Sequence, residues 1–286
     1  MSVSVLTLVR NRKPQLLNQL RGLLQSRELP DEWVVVGMGE EPPLESCALN
    51  LVTGQIPIEE GKELTLARAR NWAAQLANSE YLVFLDVDCI PDPAMIGAFT
   101  QVLKEDPRLW MGSLRYASPG ATTGPWTFTD LRMSSLPHPI QPRLRTGERK
   151  PSECYELLWS TCFAMRKRDF VKTGGFDEAY DGYGGEDTDF SFQSRARGIP
   201  FGFVAAKAYH QYHPVYKPPV NHFRAIIRNA RYFRDKWGMW PMDAWLREFR
   251  EMGLITFDLQ SDTIEILREP TEAEFESAYS TETVKA

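Results

Sequence analysis

Tyr81-Leu82-Val83-Phe84-Leu85-Asp86-Val87-Asp88 is a β-prone apolar run that stops on two carboxylates. A run this short and this apolar reads as a fully buried strand, with the aspartates standing at its carboxyl end. Just upstream, Leu64 to Ala77 spaces its apolar residues as a helix does. Ser2 to Val9 is another continuous β-prone run. It leads into Arg10-Asn11-Arg12 and then Pro14, which suits the first turn of a helix carrying Leu16, Leu17, Leu20, Leu23 and Leu24. Trp33 to Val36 reads as a short buried strand ending in Gly37-Met38-Gly39, and the Pro/Glu-rich stretch beyond it as loop. Strands alternating with helices predict a mostly parallel sheet whose ligands bind beyond the carboxyl ends of the strands. Those ends carry Arg10-Asn11-Arg12 and Asp86-Val87-Asp88.

Further along, Ala117 to Pro151 holds six prolines and three glycines with scattered basic residues, which predicts a long functional loop without regular elements. Leu157 to Met165 reads as a strand, Glu186 to Arg197 as a helix opened by acidic residues, and Phe201 to Ala208 as a strand running on to His210. His222 to Lys236 is a basic helix and Asp243 to Met252 another, stopped by Gly253. Leu254 to Leu267 suggests a small hairpin, and the acidic tail after Pro270 is expected to fray.

Bulk properties narrow the function. The chain has 286 residues, 43% hydrophobic and 25% charged, which is ordinary globular content with room for a sizeable core. A formal charge of -5 argues against nucleic acid as a partner, because backbone phosphate binding needs a basic excess. No apolar stretch approaches the roughly 20 residues of a membrane span. The Met1 to Val9 run lacks the basic flank of a signal peptide. Cys47, Cys89, Cys154 and Cys162 form no C-x-x-C pair, as suits a reducing compartment, and a cytoplasmic location is expected.

Three clusters carry chemistry. Asp86 and Asp88 can share a hard cation, Mn²⁺ or Mg²⁺, with a nucleotide diphosphate. D-x-D alone is weak, since it arises about once by chance in such a chain, and Asp187-Thr188-Asp189 is a second copy. The strand before it and a separate acidic site downstream strengthen the reading. That second site is Gly174-Gly175-Phe176 through Gly182-Tyr183-Gly184-Gly185-Glu186-Asp187. Paired glycines let backbone approach a ligand, and Glu186 or Asp187 can accept the proton of an attacking hydroxyl. Third, Tyr209-His210-Gln211-Tyr212-His213 follows a strand and offers an imidazole to Mn²⁺, from His210 or else from His213, which otherwise would orient the diphosphate or acceptor. Arg10 and Arg12 are suited to grip the nucleotide, and one of Arg68 and Arg70 to face the diphosphate, since residues two apart lie on different helix faces. The helix with Arg224, Arg228, Arg231 and Arg234 is a solvated face packing Phe223, Ile227 and Phe233 inward, with peripheral membrane contact as its other use.

These residues resemble the glycosyltransferases of GT-A fold, in particular the β-1,4-galactosyltransferases and the bacterial family 2 enzymes related to chondroitin polymerase. The resemblance covers roughly Ser2 to Pro214. Val9-Arg10-Asn11-Arg12 is similar to the family's nucleotide-binding run, which implies that Arg10 and Arg12 contact UDP. Phe84-Leu85-Asp86-Val87-Asp88-Cys89-Ile90-Pro91 matches the metal motif and implies Asp88 as direct ligand, with Asp86 and Val87 beside the cofactor. Gly182-Tyr183-Gly184-Gly185-Glu186-Asp187 resembles the acceptor and catalytic segment. It implies Asp187 as base and Glu186 as holder of the acceptor, with Tyr183 and Gly185 lining the site. Ala208-Tyr209-His210-Gln211 is similar to the segment carrying the metal-binding histidine. Tyr183 stands where the galactosyltransferases have Trp, and Thr188 where they have an acid, so acceptor type does not carry over. Gly37-Met38 replaces the aspartate that ends the second strand in many family 2 enzymes.

The resemblance implies a GT-A fold with a Rossmann-like, mostly parallel central sheet flanked by helices. Residues 1–116 would be its nucleotide-sugar and metal-binding half and 117–151 a mobile loop. Residues 152–221 would be the acceptor and catalytic half, and 222–286 C-terminal helices, a small hairpin and a frayed tail. The implied activity is metal-dependent, inverting transfer of a hexose or N-acetylhexosamine from a UDP-sugar to a hydroxyl acceptor such as a glycan. The Golgi members' membrane anchor is missing, which favours a bacterial, cytoplasmic enzyme. A nucleotidyltransferase acting on sugar phosphates would place a Gly-rich phosphate loop near the N-terminus, but Arg10-Asn11-Arg12-Lys13 has no glycine. A catalytically inactive sugar-binding module would tolerate loss of an acidic site, and both sites are intact.

Overall fold

The computed structural model describes residues 2–44, 46–58 and 64–281. Its first half runs β1 (Val3–Val9), α1 (Lys13–Leu24), β2 (Glu32–Met38), β3 (Leu51–Ile56), α2 (Leu66–Leu76), β4 (Tyr81–Leu85), β5 (Cys89–Pro91), α3 (Met95–Glu105) and β6 (Leu109–Ala117). There follow α4 (Phe128–Met133), β7 (Ser135–Pro137), β8 (Arg149–Ser152), β9 (Cys162–Arg166), α5 (Lys167–Thr173), α6 (Glu186–Ala196) and β10 (Phe201–His210). The chain closes with α7 (Phe223–Trp237), α8 (Asp243–Glu251), a two-residue pairing of Ile255–Thr256 with Glu265–Ile266, and α9 (Glu272–Ala278).

The sheet order is β3-β2-β1-β4-β9-β6-β10-β5. β3, β2, β1 and β4 are parallel neighbours, and β6 is parallel to β10. β9 runs antiparallel to both β4 and β6, so six of the seven strands from β3 to β10 share one direction. β1, β2 and β4 are buried along their whole length, as strands covered on both faces must be. A five-ring cluster ties the two halves of the sheet to the helices. Phe84 stacks on Phe163 with centroids 4.4 Å apart, Phe176 stacks on Phe190 at 4.2 Å, and Phe170 tilts against both pairs. Each such pair contributes about 0.5–1.5 kcal/mol beyond its burial. The cluster sets the start of α6 against the end of β4.

Several expectations are corrected. Leu51–Ile56, expected as loop, is the edge strand β3; its exposed Thr53 and Gln55 mask the apolar run that a buried strand shows. Residues 117–151 hold α4, β7 and β8 where no regular element was expected. Thr127 caps α4 reciprocally with Asp130, and Trp126, Phe128 and Leu131 are buried with Ile90 and Tyr209. The prolines lie outside the helix, so they bound it and do not break it. Leu157 and Leu158 precede the strand, which begins at Cys162. The tail is structured as far as Ser280. Thr271 and Glu274 form a capping box, and Tyr279–Ser280 pairs with Val215–Tyr216. The remaining tail, 282–286, lies outside the described residues.

A second apolar core gathers Phe223, Ile227, Leu246, Phe249, Leu254 and Phe257 from the C-terminal elements. The arginines of α7 are engaged within the protein. Arg224 pairs with Glu269, Arg228 with Asp181 and Arg234 with Asp262, while Arg231 donates to the Ile264 carbonyl. Among the described residues no helix is long and apolar enough to cross a membrane.

Candidate active site

The turn after β4 is held by backbone and by one buried amide. Asp86 N–H donates to the Thr161 carbonyl and Cys89 N–H to the Asp86 carbonyl. Gln19, fully buried on α1, donates from Nε2 to the carbonyls of Asp86 (2.8 Å) and Cys89 (2.9 Å) and accepts from Thr7 at 2.8 Å. A glutamine on an apolar helix stripe is the signal that the sequence reading passed over. Its neighbour Asn18 donates to Gln211 Oε1 at 2.8 Å, and Gln211 donates to the Gln15 carbonyl at 3.0 Å. α1 thereby clamps the aspartate turn to the end of β10.

β10 pairs antiparallel with β5, His210 opposite Cys89. That register sets His210 and His213 beside Asp88, with His210 Nε2 3.6 Å and His213 Nε2 3.2 Å from its two carboxylate oxygens. The three side chains offer ligand atoms within 4.8 Å of one another. His213 Nδ1 also lies 3.0 Å from the Pro214 carbonyl, so a protonated Nδ1 leaves Nε2 free for a ligand. Burial alone would raise Asp88, but His210, the His213 hydrogen bond and Arg12 hold it well below the ordinary carboxylate range. Burial lowers His210, while hydrogen bonding to Asp88 raises His213. One carboxylate and two imidazoles suit a divalent transition ion better than Mg²⁺.

Beside this triad lies a second charge cluster. Arg70, on the buried face of α2, sits 3.0 Å from Glu186 Oε1 and 3.7 Å from Asp86 Oδ1, with its guanidinium 5.2 Å from the centre of the Phe176 ring. Glu186 and Asp187 open α6. Burial first, then the Glu186 charge, pushes Asp187 up to about 7 against the pull of Arg70. Burial likewise raises Asp86 to about 7, Arg70 opposing and Asp88, Glu186 and Asp187 adding to the rise. Three carboxylates around one buried guanidinium cannot all stay charged easily. The outcome is a carboxylate poised near neutrality at the head of a helix.

The structure brings Arg12, Asp86, Asp88, Glu186, Asp187, His210, His213 and Arg70 together. Arg12 stands close enough to depress Asp88 and His210. Gly185, at φ +90°, caps α6, and Tyr183 lies in the field of Asp187, Glu186 and Asp86, which together with burial raises its hydroxyl. Val87 turns its side chain onto the core. The geometry separates several of these residues. Asp86, expected as a second metal ligand, lies 3.7 Å from Arg70 and stands outside the group formed by Asp88, His210 and His213. His213, open between ligand and orienting group, lies with His210 and Asp88. Arg68 is exposed and borders a separate cleft with Gln55, Trp72 and Glu178, so of the α2 pair Arg70 alone reaches the cluster. Arg10 is exposed at the mouth of the β1 turn, next to Asn11, whose N–H donates to Glu40 at 2.6 Å.

Known proteins resemble this chain in sequence family and in fold. The model of the N-terminal domain of galactosyltransferase matches residues 147–217. Validoxylamine A glucosyltransferases from two subspecies of Streptomyces hygroscopicus, jinggangensis (strain 5008) and limoneus, are each 27% identical over 161 residues, or 47% of this chain. The chain spans 36% and 34% of their lengths. Among solved structures, Staphylococcus aureus TarS 1–349 in complex with UDP superposes with a TM-score of 0.54 at 16% identity, covering 80% of this chain and 64% of that one. GalNAc-T7 with UDP, GalNAc and Mn²⁺ gives 0.54 at 16%, covering 88% and 54%. At that identity the likeness shows a shared GT-A fold. The glycosyl transferase family 2 model matches residues 4–174, from β1 through the aspartate turn to the end of α5, and the chain belongs to that family.

Proposed function

We propose that this glycosyltransferase uses a UDP-sugar, depends on a divalent metal, and inverts the anomeric centre. The observation that carries the reading is the pairing of two adjacent clusters with opposite tasks. Asp88, His210 and His213 form a compact ligand set, and Asp187 stands beside it as a carboxylate raised to about 7. Mn²⁺ or Mg²⁺ held by that set would neutralise the charge growing on the departing diphosphate. The UDP of the TarS and GalNAc-T7 complexes supports uridine diphosphate as the leaving group.

The chain's own residues supply the rest. Arg12, beside the triad, contacts the diphosphate through its guanidinium. Arg70 anchors Glu186 and so fixes the first turn of α6, from which Asp187 accepts the proton of the acceptor hydroxyl as that oxygen attacks. Glu186 orients the acceptor. A base on the acceptor side, with the leaving group opposite, gives in-line displacement and inversion. The test is turnover of a panel of nucleotide sugars with and without EDTA, with the product's anomeric proton read by NMR. An α-linked UDP-sugar is expected to give a β-linked product only when metal is present. An α-linked product, or full rate in EDTA, would overturn the reading.

A further inference from the structure

Tyr116, near the end of β6, has the ring of His210 5.2 Å away and that of His138 5.6 Å away. The segment after β7, to which His138 belongs, lies along β6 and closes a cleft of about 150 Å³, roughly ten times the space one water needs. Arg115 from β6, Lys207 from β10, and His138 and Arg143 from the segment line it. Among the described residues the lining includes no carboxylate, and none of the three cations is ion-paired. Asp92, whose N–H donates to the Lys207 carbonyl at 2.9 Å, directs its own carboxylate to Tyr209 at 3.0 Å and Arg132 at 4.0 Å. The walls are fixed by hydrogen bonds. His138 N–H donates to the Leu114 carbonyl at 3.0 Å, and the buried Gln141 accepts from Leu114 N–H at 2.8 Å and donates to the Gly112 carbonyl at 3.1 Å. Arg115 Nε donates to Ser135 Oγ at 2.9 Å. β10 slips register against β6 between Phe203 and Lys207, and such a bulge re-aims the side chain that follows.

His138 points to a ligand independently of the cations. It is 8% exposed, with Trp159 stacked on its ring at 4.4 Å. Its Nδ1 accepts the Ile140 N–H at 3.2 Å, so in the neutral ring the hydrogen sits on Nε2. Burial, then the Arg143 charge, lowers His138 to about 4, which keeps the ring neutral near pH 7. Among the described residues Nε2–H has no acceptor, and a buried donor left unpaired is costly. Three cations and one N–H donor, with no acid between them, focus a positive field into a water-poor cleft. Guanidinium meets phosphate oxygens through paired N–H bonds and ammonium meets them as a point charge. A carboxylate offers fewer oxygens and a single charge. We infer that Arg115, Lys207, Arg143 and His138 form a binding site for a phosphate group, separate from the places of donor diphosphate and acceptor. A soluble phosphate and the headgroup of an anionic lipid share this chemistry. The site stands or falls independently of the transferase reading above.

The chain has four histidines, so ¹⁵N-histidine labelling reads each imidazole by NMR, with His138→Gln assigning the ring in question. Metal-stripped, chelator-free protein is titrated with inorganic phosphate against chloride of equal ionic strength, and with acetate. The His138 ring is expected to shift saturably with phosphate while His222 stays still, and acetate should bind at least about fivefold more weakly. Arg143→Gln and Lys207→Met should each weaken phosphate at least about fivefold, whereas Lys150→Gln, on β8 and outside the cleft, should not. Arg143 is exposed, so its variant keeps the test alive should Lys207→Met unfold. Vesicles of phosphatidylglycerol and of phosphatidylcholine separate the sources. Retention on the former that is lost in Arg143→Gln assigns a lipid headgroup, and phosphate binding without retention assigns a soluble phosphate. A His138 shift that is absent with phosphate and with both vesicles, that acetate reproduces at equal concentration, or that survives both cation variants would overturn the site.

Discussion

Asp187 carries two consequences of one environment. Burial and the Glu186 charge raise it to about 7, so as a base it is half ionised near neutrality. The rate should therefore fall as pH drops through about 7, and the acidic limb should vanish in Asp187→Asn. That variant should lose at least about 100-fold in kcat, the scale of a lost general base, with UDP affinity unchanged. Stability moves the other way. A carboxylate raised on folding contributes stability below about pH 4, and the contribution is lost as pH rises through about 7. Asp187→Asn should consequently come nearest the wild type in Tm at pH 4 and exceed it increasingly as pH rises to 8, by roughly 2–4 kcal/mol. A variant that keeps kcat, or one no more stable at pH 8 than at pH 5 relative to wild type, would remove Asp187 from this role.

At the scale of elements, Asp187-Thr188-Asp189 shows how one helix divides its acids. Residues two apart on a helix diverge by about 200°, so Asp187 faces the cleft and Asp189 the opposite side. There Asp189, with no exposed surface, accepts from Tyr180 at 3.2 Å, Trp237 at 2.7 Å and Gln193, and pairs with Lys236 at 2.9 Å. It fastens α6 to α7. Asp189→Ala should cost about 3–5 kcal/mol in denaturant unfolding by stranding its buried partners. A loss below about 1 kcal/mol would show that the strap is not structural. On the proposed role of Asp187, the second D-x-D of the sequence is thus half base and half pin. Thr271→Ala, which removes the α9 capping box, should cost about 1 kcal/mol. That box, Thr271-Glu272-Ala273-Glu274, was present in the sequence, but acidic composition pointed to disorder while Phe275 and Ala278 pack on the second core.

For the whole molecule, the proposed metal role of Asp88, His210 and His213 predicts a link between donor binding and stability. A ligand that binds the folded state alone at 100 times its Kd adds about 2.7 kcal/mol, and for a chain of this size that corresponds to about 5–10 °C. Mn²⁺ with UDP should raise Tm on that scale. His210→Ala/His213→Ala should abolish the metal-dependent part, with UDP alone giving the same small shift in both proteins. An undiminished Mn²⁺ effect in the double variant would place the ion elsewhere.

The buried runs Val3–Val9 and Tyr81–Leu85, the helices from Lys13 and Glu186, and the motif order that marks a family 2 glycosyltransferase were all legible in the sequence, because each depends on local periodicity and local residue identity. Edge strand β3, α4 and α9 were less legible, since their apolar contacts come from distant segments. The triad needed tertiary structure. His210 meets Asp88 because β10 lies antiparallel to β5 with His210 opposite Cys89, and that register is set by long-range pairing. Helix spacing limited the α2 arginines to one at the site, but only the packing of α2 on β1 and β2 decided that it is Arg70. The cationic cleft was invisible for the same reason: Arg115, Arg143 and Lys207, separated along the chain, line one cavity only once the segment after β7 is fastened along β6.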